Sequence, residues 1–271
     1  MDTRRNLLKK KQRVVIKIGS SSLTHPETGE LNLTKIEKLI RVLSDLRGEG
    51  KEVVLVSSGA IAAGRQAFGH HKRPDSLAEK QAFAAVGQAR LMMVYQKLCS
   101  EYNQTAAQVL LTKDTMVNDS SRYNAQNTFD ELLRLGAIPI VNENDSVSID
   151  ELENIAKLGD NDNLSALVSS LINADLLIIL SDIEGFYDCD PRKNKNAIMI
   201  KEIREFTEEM EKYAGKAGSD FGTGGMATKL KAAKTATSVG VDVILASGKN
   251  PCIIRNILRG EDVGSLFVAN K

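Results

Sequence analysis

Cysteine is scarce in this chain. Cys99, Cys189 and Cys252 are its only thiols, odd in number and widely scattered, with no C-x-x-C pair and no metal-ligand spacing. A disulfide framework and a zinc site are disfavoured, no dedicated protein metal site is expected, and a reducing, cytoplasmic setting is the expectation. A surplus of charge is missing as well. The 36 basic and 35 acidic residues leave a net charge of +1, which gives neither nucleic acid nor an anionic membrane surface a reason to bind. No apolar run approaches the roughly 20 residues of a membrane span. The basic start, Met1 to Lys11, lacks the apolar core of a signal peptide, so residues 1–12 are expected to form a solvated basic extension. There is no internal repeat, no low-complexity tract and no Pro/Gly/Ser-rich linker, which points to one domain with two lobes around a cleft.

What the chain does have is 42% hydrophobic content over 271 residues, enough to bury a sizeable core. Short apolar runs alternate with amphipathic stretches, the pattern of an α/β protein with a mainly parallel sheet. Strands are expected at 13–18, 53–57, 106–111, 137–141, 175–180, 241–246 and 265–269. Helices are expected at 33–47, 77–99, 124–135, 163–171 and 226–239, the first with apolar residues at Ile36, Leu39, Ile40 and Leu43. Between Ser146 and Glu153 the alternation Val147, Ile149, Leu152 suggests a hairpin standing off the sheet.

Ligands of such sheets bind beyond the carboxyl ends of the strands, so the residues there carry the functional signal. The first strand holds Lys17 inside an apolar run and ends in Gly19-Ser20-Ser21-Ser22. A lysine there either snorkels outward or faces an anion, since burying it unpaired is costly. The second strand ends Ser57-Ser58-Gly59-Ala60, an ordinary helix cap or an anion-facing turn. Val141-Asn142-Glu143-Asn144-Asp145-Ser146 reads equally as a turn or a polar site. Gly159-Asp160-Asn161-Asp162-Asn163 places more polar groups before an apolar helix than a cap requires. A later strand ends Ser181-Asp182-Ile183-Glu184-Gly185, with Asp190-Pro191-Arg192 beyond it. The three histidines, His25, His70 and His71, lie in polar sequence where simple exposure is expected.

The last signal is Gly222-Thr223-Gly224-Gly225-Met226-Ala227-Thr228-Lys229, a glycine turn entering a helix with a lysine on its first turn. Glycines admit an anion close to the backbone, the helix N-terminus adds a partial positive charge, and the lysine adds a full one. It is not a Walker loop, whose spacing occurs nowhere in the chain. Nor does it suit a dinucleotide fingerprint. Gly222, Gly224 and Ala227 match that spacing, but no hydrophobic strand precedes them and Asp242 opens its strand instead of closing it.

These motifs, in this order from about residue 13 onward, resemble the glutamate 5-kinase branch of the amino acid kinase family. The resemblance implies a three-layer αβα sandwich over residues 13–271, with a substrate lobe at about 13–173 and a nucleotide lobe at about 174–271, in a form lacking the C-terminal PUA domain. It implies that ATP with Mg2+ and L-glutamate meet over the strand ends, giving glutamate 5-phosphate on the way to proline. Lys17 and Lys229 are then the phosphoryl-stabilising residues, and Asp162 holds them. Ser58, Asp145, Asn161 and, more weakly, Asn142 bind the amino acid. Ser181, Asp182 and Thr223, Gly224, Gly225, Met226, Ala227, Thr228 and Lys229 bind ATP, with Lys17 contributing. Proline is implied as a feedback inhibitor and a homo-oligomer, dimer or tetramer, as the assembly. The chemistry suits a site without histidine, because a γ-carboxylate, with a pKa of about 4.3, needs no general base. A sister activity on N-acetylglutamate or aspartate, or a non-catalytic sensing module, is the alternative. The N-acetylated substrate would not require Asp145 for an ammonium in the same way, and the sensing module would be expected to have lost a lysine.

Overall fold

Apolar runs such as Leu176–Leu180 have no polar side to give to water, and they fold as strands covered on both faces. The computed structural model describes residues 4–69, 74–147, 161–216 and 225–270. Along these the order is helix α1 (Arg4–Leu7), strand β1 (Arg13–Ile18), α2 (Ser20–Leu23), α3 (Leu33–Gly48), β2 (Glu52–Ser57), α4 (Ala60–Ala67), α5 (Leu77–Glu101), β3 (Ala106–Leu111), α6 (Lys113–Val117), α7 (Asp119–Arg134) and β4 (Ile138–Glu143). The second part continues with α8 (Asn161–Leu171), β5 (Leu176–Ser181), β6 (Glu202–Ile203), α9 (Glu208–Lys216), α10 (Met226–Ser238), β7 (Asp242–Ser247), α11 (Ile253–Leu258) and β8 (Ser265–Phe267).

The strands join in one sheet of order β3-β4-β2-β1-β5-β7-β8-β6. The first six run parallel, β8 is antiparallel to β7, and β6 pairs parallel to β8. β1 lies between β2 and β5, so the chain winds to one side first and to the other afterwards, and the crevice of the sheet opens at the carboxyl ends of β1 and β5.

The period-2 alternation of β1 decides which layer each residue meets. Val14, Ile16 and Ile18 pack with α3, α5 and α11, whereas Val15 packs with α7, α8 and α10. Each fully buried aliphatic side chain of this kind contributes about 1.5–3 kcal/mol of burial. Lys17 shares the face of Val15, and is thereby aimed at the layer that contains α8.

The elements agree with the periodicity at most positions, and the differences have local causes. α7 starts at Asp119 instead of residue 124, because the Asn118 side chain accepts from Ser121 N and caps it before any apolar residue appears. The short elements α1, α2, α6, β6, α9 and α11 carried no expectation. The solvated extension expected over residues 1–12 is corrected in the described part: Leu8 is buried with the α3 layer, and the Arg5 guanidinium donates to the carbonyls of Val263, Gly264 and Lys201. Lys11 pairs with Asp242 at 2.7 Å, tying the same segment to β7. The hairpin expected at 146–153 lies mostly outside the described residues; Val147 is exposed.

Candidate active site

Lys17 reaches from the middle of the sheet to the first turn of α8, where its Nζ lies 2.5 Å from Asp162 Oδ1. From the opposite side Lys229, on the first turn of α10, places its Nζ 3.0 Å from Asp162 Oδ2. Asp162 is fully buried and the two lysines are 5% and 7% exposed. Burial alone would raise the Asp162 carboxyl pKa, but the two ammoniums and their hydrogen bonds outweigh it and hold the group below the ordinary carboxylate range. Thr228 Oγ1 lies 3.1 Å from the same Oδ2 and 2.7 Å from the carbonyl of Gly225, which closes the N-terminus of α10 around the carboxylate. One carboxylate thus holds two cations at the mouth of two helix N-termini, α8 and α10, beside the Gly19 turn. A Cβ on Gly19 would stand 3.5 Å from Lys17 Nζ.

The residue before Asp162 serves the other half of the site. Adjacent helical residues diverge by about 100° around the axis, so Asn161 points away from the lysines. Its Nδ2 donates to Ser58 Oγ at 2.7 Å and to Asn142 Oδ1 at 3.1 Å. Asn142 Nδ2 in turn donates to Gln88 Oε1 at 3.0 Å. Ser58 follows β2 and its N–H donates to Ile18 O, binding the turn to the end of β1. Gly59 takes φ +112°, a left-handed conformation that glycine adopts without Cβ strain, and this turn opens α4. A polar, hydrogen-bonded patch therefore adjoins the paired ammoniums, one helical position away.

On the far side of Lys229 a cleft of about 600 Å³ is lined by Ser181, Asp182, Phe186, Tyr187, Tyr213, Gly225, Met226 and Lys229, among others. Ser181 Oγ lies 3.0 Å from Asp182 Oδ1, and Arg192 Nη2 donates to Asp182 Oδ2 at 2.7 Å across the rim. Aromatic walls, a helix N-terminus and a buried ammonium at the inner end suit a ligand with a flat group and an anionic tail.

Residues 12–247 match the Amino acid kinase family. The chain belongs to the amino acid kinase family. A glutamate 5-kinase of Clostridium perfringens (strain 13 / Type A) is 58% identical over 267 residues, covering 98% of this chain and 99% of its own length. Glutamate 5-kinases of Listeria innocua and Enterococcus faecalis are 52% and 50% identical, covering 98% and 97% of this chain and 96% and 97% of their own lengths. Among solved structures, a UMP kinase from Bacillus anthracis superposes with a TM-score of 0.62 at 17% identity, covering 96% of this chain and 97% of its own. A T. acidophilum isopentenyl phosphate kinase reaches 0.64 at 18% identity, covering 94% of this chain and 100% of its own. At such identities the likeness is one of fold.

Within this amino acid kinase fold, most residues singled out in the sequence fall into three adjoining groups. Lys17, Asp162, Thr228 and Lys229 form the charged centre, and Ser58, Asn142 and Asn161 form the polar patch. Ser181, Asp182, Gly225 and Met226 line the cleft. Ala227 is exposed in the first turn of α10, outside that lining. Asp145 is half-buried in the turn after β4. Thr223 and Gly224 lie outside the described residues. Gln88 and Tyr95 were missed. Both stand on the buried face of α5 with Ala84, Gly87, Leu91 and Met92, and a polar residue recurring on an apolar helical face is the signal that could have found them.

Proposed function

We propose that this chain transfers the γ-phosphoryl group of ATP to the γ-carboxylate of free L-glutamate, forming L-glutamate 5-phosphate, the first step of proline biosynthesis. The observation that carries this reading is the buried Lys17–Asp162–Lys229 bridge lying one helical position from the Ser58–Asn161–Asn142 patch. The identity of 50–58% to glutamate 5-kinases supports it.

A γ-carboxylate oxygen attacks the γ-phosphorus, the bond to the β–γ bridging oxygen breaks, and ADP leaves with the electron pair. No proton moves, so the site needs charge stabilisation in place of a base. Lys17 and Lys229 supply it from the two sides of the transferring group, where a donor of this kind is worth about 10²–10³ in rate. Asp162 keeps the two ammoniums from separating. Ser58, Asn161 and Asn142 orient the amino acid, and Asp145 pairs with its α-ammonium, which an N-acetylated substrate lacks. Ser181 and Asp182 border the nucleotide, and residues 223–229 follow its phosphates. Both oxygens of Asp162 are engaged by lysines, so its donor set does not suit a cation. Mg2+ would instead be held by phosphate oxygens and water, where it neutralises nucleotide charge. Proline, sharing the α-carboxylate and α-nitrogen of glutamate, competes for the polar patch. The setting is cytoplasmic and the assembly a homo-oligomer.

Measuring ADP release with free L-glutamate, N-acetyl-L-glutamate and L-aspartate in parallel tests the substrate. Turnover with glutamate alone is the expected result; preference for N-acetylglutamate would refute the reading.

A further inference from the structure

Gln88 lies in the middle of α5, distant in sequence from the strand-end motifs, and it is 8% exposed. Its side-chain oxygen is the terminus of the amide series that ends at Ser58. Because Gln88 Oε1 accepts from Asn142 Nδ2, Asn142 must turn its own oxygen toward Asn161. That oxygen takes one hydrogen of Asn161 Nδ2 and Ser58 Oγ takes the other. Two consequences follow from counting donors and acceptors. The Asn161 oxygen is left as an acceptor, and the Ser58 hydroxyl, having accepted, keeps its hydrogen for donation. An acceptor beside a donor is the complement of a free α-amino acid, whose ammonium donates and whose carboxylate accepts.

The same helix touches this turn a second time. Tyr95, seven residues on and hence on the same face of α5, shares a 2.7 Å hydrogen bond with Ser57 Oγ, and Ser57 Oγ donates to the Ser58 carbonyl at 2.9 Å. Gly64 and Gly87 let α4 and α5 approach closely, so the helix that bears Gln88 packs directly on the helix that begins at the Ser58–Gly59 turn. A Cβ on Gly87 would stand 1.7 Å from the Ala60 carbonyl oxygen.

We propose that Gln88 is a positioning residue for the amino acid: through Asn142 it sets the donor and acceptor polarity of Asn161 and Ser58. This rests on the reading of the patch as the glutamate site. Removing the Gln88 oxygen leaves Asn142 free to turn its amide, and the polarity at Asn161 is no longer enforced. Gln88→Leu and Gln88→Met, the latter matching the length and unbranched shape of the native side chain, are to be compared with Asn142→Leu and with the double variant Gln88→Leu/Asn142→Leu in steady-state kinetics. The expected result for either Gln88 variant is a glutamate KM raised tenfold or more with the ATP KM changed less than twofold. In the Asn142→Leu background, Gln88→Leu should add less than twofold, because the path it acts through is already gone. An unchanged glutamate KM, an equal rise in both KM values, full additivity in the double variant, or failure of both Gln88 variants to fold would overturn the proposal. Wild-type protein without glutamate-dependent turnover would refute the substrate reading instead, which keeps the two failures apart.

Discussion

Lys17 Nζ lies 2.5 Å from Asp162 Oδ1, joining the interior of the central strand to the first turn of α8 across the crevice of the sheet. The bond has a structural and a chemical consequence, because the carboxylate that pairs with Lys17 also pairs with Lys229, so the three groups together keep a net positive charge. Replacing Asp162 by Ala leaves two buried ammoniums facing each other. Breaking a buried ion pair by removing one partner costs about 3–5 kcal/mol. For a chain of this size that corresponds to a fall in melting temperature on the order of 10 °C. Differential scanning calorimetry of Asp162→Ala checks this, and ATP should restore part of the loss by supplying phosphate charge between the lysines.

The same carboxylate predicts the acid limit of stability. The folded Asp162 carboxyl is held below its ordinary value, whereas in the unfolded chain it titrates near pH 3.9, roughly the reference value. Below that pH the unfolded state binds the extra proton. The contribution is therefore full above about pH 4 and is lost as pH falls through the lower folded value. Urea midpoints measured between pH 6 and pH 3 should fall more steeply for wild type than for Asp162→Asn. Parallel slopes would remove this carboxylate from the acid response.

Close approach of α4 and α5 predicts a site effect from a residue that touches no substrate. Gly87→Ala would set a methyl 1.7 Å from the Ala60 carbonyl oxygen. Overpacking of this kind costs about 1–3 kcal/mol. Displacing α4 also moves the Ser58–Gly59 turn, so the glutamate KM should rise while the ATP KM stays put, together with a lower urea midpoint.

Cys99 is fully buried, and burial pushes its thiol up to about 11, whereas Cys252 is exposed and Cys189 half-buried. The thiolate is the reactive form. At pH 8 Ellman's reagent should therefore modify Cys252 first, Cys189 more slowly because burial and the Asp188 carboxylate raise its thiol too, and Cys99 only after denaturant is added. Rapid loss of all three thiols would contradict the packing of α5.

Much of this arrangement is legible in the amino-acid sequence. Apolar runs located the strands of the parallel core within a residue or two, because a strand covered on both faces tolerates little else. Lys17 stood out as a cation in such a run, though the sequence left open whether it snorkelled. The alternation of β1 settles it, since Lys17 shares the face of Val15 and meets α8. Short elements escaped notice for a physical reason. β6 and α11 span too few residues to show a period, and the start of α7 is set by the Asn118 cap in a polar stretch. Gln88 was hidden differently. Its role depends on Asn142 and Asn161 arriving from distant strand and helix ends, which no local pattern records.

In the proposed reaction Lys17 and Lys229, held by Asp162, stabilise a phosphoryl group passing to the γ-carboxylate of glutamate. Incubating the protein with MgATP and free L-glutamate in the presence of hydroxylamine, beside the Lys229→Ala variant, tests it most directly. The account predicts γ-glutamyl hydroxamate from the wild type and a rate reduced at least about 100-fold in the variant, the scale of losing one charge-stabilising donor. Hydroxamate formed equally well without Lys229, or none from glutamate in the wild type, would contradict it.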